Sequence, residues 1–113
     1  RLVSSAEIYH RCAIAINTTV SEDIKLVAPQ AADELLSISG VDASFVLYEY
    51  GDTVSMSARS MGKINVQVIM EALGGGGHQT MAATQIPNIS LEDARQKLLE
   101  AIESYDQHNK PQE

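Results

Sequence analysis

The residues with most to offer chemically are Gly74-Gly75-Gly76-Gly77-His78. Each glycine costs roughly 0.5–1 kcal/mol more backbone entropy than alanine when fixed. One glycine suffices to end a helix in a left-handed cap; three more need another reason. Either the chain turns tightly there, or a ligand approaches the backbone where a Cβ would obstruct it. Successive amides in such a run can form an anion nest, and His78 adds a side chain that can donate hydrogen bonds. The run matches neither a Walker loop nor a dinucleotide fingerprint. A phosphate or nucleotide site and a flexible turn both remain open on the glycines alone.

Between Lys25 and Arg95 the only cations are Arg59 and Lys63, both shortly before the glycines. Arg59 can clamp a phosphate through paired N–H donors, with Ser60 beside it, whereas Lys63 reads as a solvated surface charge. The glycines follow the C-terminus of a helix, where the macrodipole places partial negative charge. An anion there must be held by amides, Arg59 and His78 instead. No aspartate or histidine pattern has metal-ligand spacing, and no nucleophile elbow is present. His10 and His108 read as surface residues without partners, and Cys12 as a buried structural thiol. The chain is expected to bind rather than catalyse, with no metal or cofactor of its own.

These residues need a scaffold, and the pattern supplies one. Residues 1–10 read as a lead-in with a helical turn near Ala6 to Tyr9. Cys12–Ile16 is a short apolar run, a buried strand. Ser21 to Ala28 reads as a brief helical turn, followed by a new helix starting at Pro29 and ending at Gly40. Val41–Tyr50, Gly51-Asp52 and Thr53–Ser60 form a hairpin, with Val54, Met56 and Ala58 alternating against Ser55, Ser57 and Arg59. Asn65 caps a helix whose stripe is Val66, Ile69, Met70 and Leu73. Thr80–Ile86 is a strand stopped by Pro87. Ser90 opens a last helix lined by Leu91, Ala94, Leu98, Ile102 and Tyr105, with a disordered polar tail expected from Gln107. The expected fold class is α/β: a mixed sheet of about four or five strands packed with helices, in a single domain over residues 1–113.

Whole-chain properties narrow the function classes. At 113 residues, 44% hydrophobic and 20% charged, the chain is an ordinary globular domain with an aliphatic core. No apolar run approaches the roughly 20 residues of a membrane helix. The formal net charge of −7 disfavours binding along an extended polyanion, which needs a basic face. The chain opens on Arg1, and it is expected to be a piece of a longer protein.

Gly74 to His78 followed by Ala82-Ala83, and preceded by Ser57-Ala58-Arg59-Ser60 and Ile64-Asn65-Val66, resembles the DHH-associated (DHHA) domain, the C-terminal half of DHH phosphodiesterases. The resemblance covers nearly the whole chain. The run Gln30 to Leu36, Val41 to Val46, Asn65-Val66-Gln67 and Ala82-Ala83-Thr84-Gln85 is most similar to the branch that hydrolyses cyclic di-AMP. Many relatives have glycine where Thr84 stands. The resemblance implies a parent enzyme with two Mn²⁺ ions in a separate DHH domain, whose motifs are absent here. It implies that Arg59, Ser60, Gly74, Gly75, Gly76, Gly77 and His78 hold cyclic di-AMP or a linear dinucleotide. The DHH domain of the same chain is an expected partner, and a homodimer could form through the parent. The parent is expected to be a bacterial membrane protein, with this domain cytoplasmic and out of contact with the bilayer. The alternative is a nucleic-acid-binding or interaction module, as in oligoribonucleases, RecJ-type exonucleases or alanyl-tRNA synthetases.

Overall fold

The computed structural model describes residues 6–18 and 23–109. Its order is β1 (Glu7–Tyr9), β2 (Cys12–Asn17), α1 (Ile24–Leu35), β3 (Ala43–Tyr50), β4 (Thr53–Ser60), α2 (Val66–Ala72), β5 (Gly76–Gly77), β6 (Met81–Pro87) and α3 (Leu91–His108). The strands form one six-stranded sheet in the order β1-β2-β3-β4-β6-β5. Only β2 and β3 run parallel, joined by the α1 crossover; the other neighbours are antiparallel. The mixed α/β architecture is the expected one, with two short edge strands, β1 and β5, added.

The alternation in the central hairpin sorts two cores. Phe45 and Leu47 of β3, with Val54, Met56 and Ala58 of β4, pack against Val66, Ile69 and Met70 of α2 and Ala94, Leu98 and Ile102 of α3. Val46 and Tyr48 point the other way and meet Ala28, Ala31, Ala32 and Leu35 of α1. Strand β3 is therefore buried on both faces. Cys12 lies in the first core, and burial pushes its thiol up to about 12. Ser44, also buried, donates its hydroxyl hydrogen to the Ala32 carbonyl of α1.

Four local expectations are corrected. Residues near Ala6 to Tyr9 are not helical. Glu7–Tyr9 is a strand, reversed into β2 by His10 and Arg11, whose φ values are 50° and 65°. Such a turn usually announces itself with Asn-Gly; here the reversal is held by Arg11 on Asp42, with Nε 2.6 Å from Oδ2. Pro29 does not start a helix but sits inside one that begins at Ile24. The N–H it lacks would have reached the Lys25 carbonyl, and Lys25 is exposed to water. The polar C-terminal segment stays helical through His108; residues 110–113 lie outside the described residues, as do 19–22, which include the first two of the expected helical turn from Ser21 to Ala28. His10 and His108 do have partners, since His10 Nδ1 lies 3.3 Å from Asp106 and His108 Nδ1 lies 2.8 Å from the Ser104 carbonyl.

The helix that leads to the glycines is fixed at its start. Asn65 Oδ1 accepts from the Gln67 and Val68 amides at 3.1 and 3.4 Å, and the Asn65 amide donates to the Tyr105 hydroxyl at 2.9 Å. Asn65→Ala should therefore cost about 1 kcal/mol, a fall of about 4–6 °C in thermal midpoint for a domain of this size. Cys12 should resist alkylation by iodoacetamide at pH 8 in the folded chain and react at once in denaturant.

Candidate functional site

The site is built where α2 ends. Gly74, with φ +88°, sits just past the Leu73 cap. Its amide donates to the Glu71 carbonyl at 3.1 Å, and the Gly75 amide donates to the Met70 carbonyl at 2.8 Å. This pair of bonds is the Schellman closure of a helix. Thr84 of β6 supplies a third tie, its hydroxyl donating to the Leu73 carbonyl at 2.9 Å. The negative end of α2 is thus largely occupied by hydrogen bonds. The chain then lies along β6 as its edge neighbour, and the His78 amide closes the turn on the Met81 carbonyl at 2.7 Å. The nest of consecutive free amides that the glycines suggest does not form, because the amides of Gly74, Gly75 and His78 are all spent on these closures.

The four glycines turn out to have different reasons. A Cβ on Gly75 would lie 2.1 Å from the Ala83 carbonyl oxygen and 2.5 Å from Thr84 Cβ. On Gly77, with φ +146°, it would lie 2.5 Å from Ala82 Cα. Gly74 needs its positive φ. Gly76 alone has neither constraint: its φ is ordinary and a Cβ there would meet nothing within 4 Å. Gly76 pairs with Ala83, which pairs with Ser57. Directly opposed residues share a sheet face, so Gly76 belongs to the face that carries Arg59.

That face is half bare. Helix α1 covers it over β2, β3 and β4, but Met81, Ala83 and Gln85 of β6 are exposed while Ala82 and Thr84 between them are buried. Arg59 pairs with Met81, and Met81 exchanges backbone hydrogen bonds with His78. Arg59, Met81 and His78 consequently form one cross-strand row. At about 4.8 Å per strand, the backbones of Arg59 and His78 are about 10 Å apart. Beside this row runs a floor of small residues, Ser57, Ala83 and Gly76. An open cavity of about 320 Å³ adjoins it, lined by Gly74, Gly75, Ala83, Thr84 and Gln85.

Ser60 is placed differently. It is buried on the opposite face, its hydroxyl donating to the Ile64 carbonyl at 2.6 Å while the Gly62 amide donates to it at 3.1 Å. It braces the loop between β4 and α2. Arg59 is only 12% exposed, and its Nε lies 3.2 Å from Asp33 Oδ1 on α1. That pair is close enough for charge attraction but too poorly aligned for a hydrogen bond, and Nε is buried with no hydrogen-bond acceptor. Nη1 donates to the Ala58 carbonyl at 2.9 Å. Asp33 is the residue that the sequence reading missed. Only the α1 crossover brings it over β4, and no spacing in the sequence reveals that.

Residues 14–106 match the DHHA1 domain. The chain belongs to the DHHA1 family. It is 50% identical over 107 residues to the cyclic-di-AMP phosphodiesterase PdeA of Listeria monocytogenes, an alignment covering 93% of this chain and 16% of that protein. It is 50% identical over 103 residues to the cyclic-di-AMP phosphodiesterase GdpP of Geobacillus thermodenitrificans, covering 90% and 16%. The chain therefore spans about a sixth of the length of these relatives. An exopolyphosphatase-related protein from Bacteroides fragilis shares the fold, with a TM-score of 0.81 at 23% identity over 97% of this chain and 34% of that one.

Among the described residues of this DHHA1 domain, no three His, Cys, Asp or Glu side chains come together as a metal group. The two Mn²⁺ ions that the resemblance implies are expected in a separate DHH domain, and nothing in the chemistry of this domain is routed through them. No helix among the described residues is long and apolar enough to cross a membrane.

The glycine geometry gives a direct test. Gly75→Ala and Gly77→Ala should each destabilise the DHHA1 domain by about 2–3 kcal/mol, since backbone must move. Gly76→Ala should stay within about 0.5 kcal/mol of the parent. Urea unfolding midpoints of the three variants decide between this division of roles and a run that is merely flexible.

Proposed function

We infer that this DHHA1 domain is the substrate-binding part of a phosphodiesterase that hydrolyses cyclic di-AMP to linear diadenylate. The observation that carries the reading is 50% identity, along nine-tenths of the chain, to two proteins named as cyclic-di-AMP phosphodiesterases. The geometry supports it. A buried guanidinium and an imidazole flank an uncovered strip of sheet whose floor has small side chains. On this reading a phosphate takes the free N–H groups of Arg59, whose planar fork matches phosphate geometry. His78 donates to the same nucleotide from the far end of the row. Gly76, free of any packing duty, leaves its side of the strip flat so that a sugar or base can lie close to the backbone. Gly74, Gly75 and Gly77 act through position, by pressing that strip against β6. Ser60 acts likewise, by holding the β4 exit in place.

Hydrolysis belongs to the rest of the parent protein. Attack of water on the phosphodiester is assigned to a DHH domain elsewhere in the parent protein, where two metal ions would activate the water. The parent is a bacterial membrane protein with this domain on the cytoplasmic side, and a homodimer forms through the parent. The chain's own contribution is to bind and orient.

The test combines binding and turnover. In an NMR titration of the chain with cyclic di-AMP and linear diadenylate, shifts should concentrate at Arg59, Gly76, His78, Met81 and Ala83. In the full-length enzyme, Arg59→Gln should lower kcat/KM about 10- to 100-fold, the worth of a charge-assisted hydrogen bond, with melting changed by no more than about 4 °C. His78→Ala should weaken substrate binding and leave bound metal unchanged. RNA binding that falls steeply with salt, with no response to dinucleotides, would overturn the reading in favour of a nucleic-acid module.

A further inference from the structure

Asp33 stands in an unfavourable place for its own helix. It lies in the last turn of α1, next to Glu34, and that turn contains no basic residue. Carboxylates are disfavoured at the negative end of a helix, so Asp33 does not serve the stability of α1. Nor is it buried: its side chain is 64% exposed. It forms an ion pair with Arg59, and that contact is imperfect. Oδ1 sits 3.2 Å from Arg59 Nε without the alignment of a hydrogen bond. The guanidinium is thereby left with a desolvated N–H that no acceptor satisfies, on the edge through which arginine makes paired contacts with an oxyanion.

We propose that Asp33 is an internal counter-charge that occupies the phosphate edge of Arg59 and is displaced when an anionic ligand binds. The proposal rests on the assignment of Arg59 as the phosphate clamp. An exposed, misaligned carboxylate is a weak partner, so a phosphate oxygen that aligns with Nε and Nη2 can take its place at little cost. The exchange satisfies the orphaned Nε–H and returns Asp33 to solvent, where it is already mostly exposed. Asp33 also keeps Arg59 neutralised and in position in the free domain. The carboxylate competes with ligand phosphate, so it sets a threshold: anions that reach only one Arg59 donor fail to displace it, while a phosphate placed to accept from both Nε and Nη2 succeeds. Asp33 thus governs selectivity without lying on the floor of the site.

The sign of this effect is opposite to that of a supporting residue, which makes it testable. Linear diadenylate is titrated into the wild-type chain, Asp33→Asn, Arg59→Gln and the double variant, with the Arg59 Nε–H resonance followed by NMR. Competition predicts that Asp33→Asn binds about two- to fivefold more tightly, the worth of an exposed ion pair. The gain should vanish in the Arg59→Gln background and shrink as salt is raised. The Nε–H resonance should move toward one position in the complexes of the wild-type chain and of the Asp33→Asn variant alike. Unchanged or weaker binding by Asp33→Asn, with Arg59→Gln still impaired, overturns the counter-charge role and leaves the clamp standing. Unimpaired binding by Arg59→Gln, or no binding by any form at millimolar ligand, overturns the clamp and the counter-charge together. Asp33 is exposed, so a matching thermal midpoint for Asp33→Asn is expected, and it separates these outcomes from misfolding.

Discussion

The structure depends on one close approach: the backbone of Gly75 to Gly77 lying directly on β6. At Gly75 there is no room for a Cβ against the Ala83 carbonyl and Thr84, and at Gly77 none against Ala82. This contact converts the end of α2 into a sixth strand. It also couples three elements at once, because Thr84 reaches back to the Leu73 carbonyl while the His78 amide closes on Met81. Removing any of these would free the chain between α2 and β6. The edge of the sheet is therefore made of backbone with almost no side chains, which is an unusual surface: polar, flat and open to a ligand.

What lies beside that edge follows from uneven helix coverage. Helices α2 and α3 bury one face of the sheet from β2 to β6. On the other face a single crossover helix is available, because only one pair of strands is parallel. A right-handed crossover joining β2 to β3 places its helix over those two strands and the next. It cannot also reach β6. The bare strip is thus a consequence of topology, and β6 reflects it in residue choice: Met81, Ala83 and Gln85 outward, Ala82 and Thr84 inward.

Much of this was legible in the sequence, for reasons that differ by element. The hairpin was clear because alternation reads directly as two faces, and Asn65 and Ser90 announced their helices because short polar side chains satisfy orphan amides. The glycine run was visible as a site candidate, but its division of labour was not: whether a Cβ fits depends on β6, several residues away. Strand β1 was missed because Glu7–Tyr9 is too short to show a period, and its ties are remote, from Glu7 to Arg95 and from Tyr9 to Glu103. Asp33 was hidden for the same reason. Nothing in its local sequence marks it, and only tertiary packing sets it on Arg59.

The electrostatics point to an incomplete site. The chain carries a net charge of −7, and the guanidinium on the open strip is partly neutralised by Asp33. An anion approaching from solvent meets a weak local attraction inside a repulsive overall field. Ligands of nucleotide size are held with most of their surface buried, yet this strip offers a floor and one flank, with solvent on the remaining sides. Small side chains on the floor add little contact area of their own. Tight binding therefore calls for a second wall that brings both enclosure and positive charge. On the proposed reading, a domain with this surface closes over a substrate already held from the other side, and the second wall supplies the positive charge that so acidic a chain lacks.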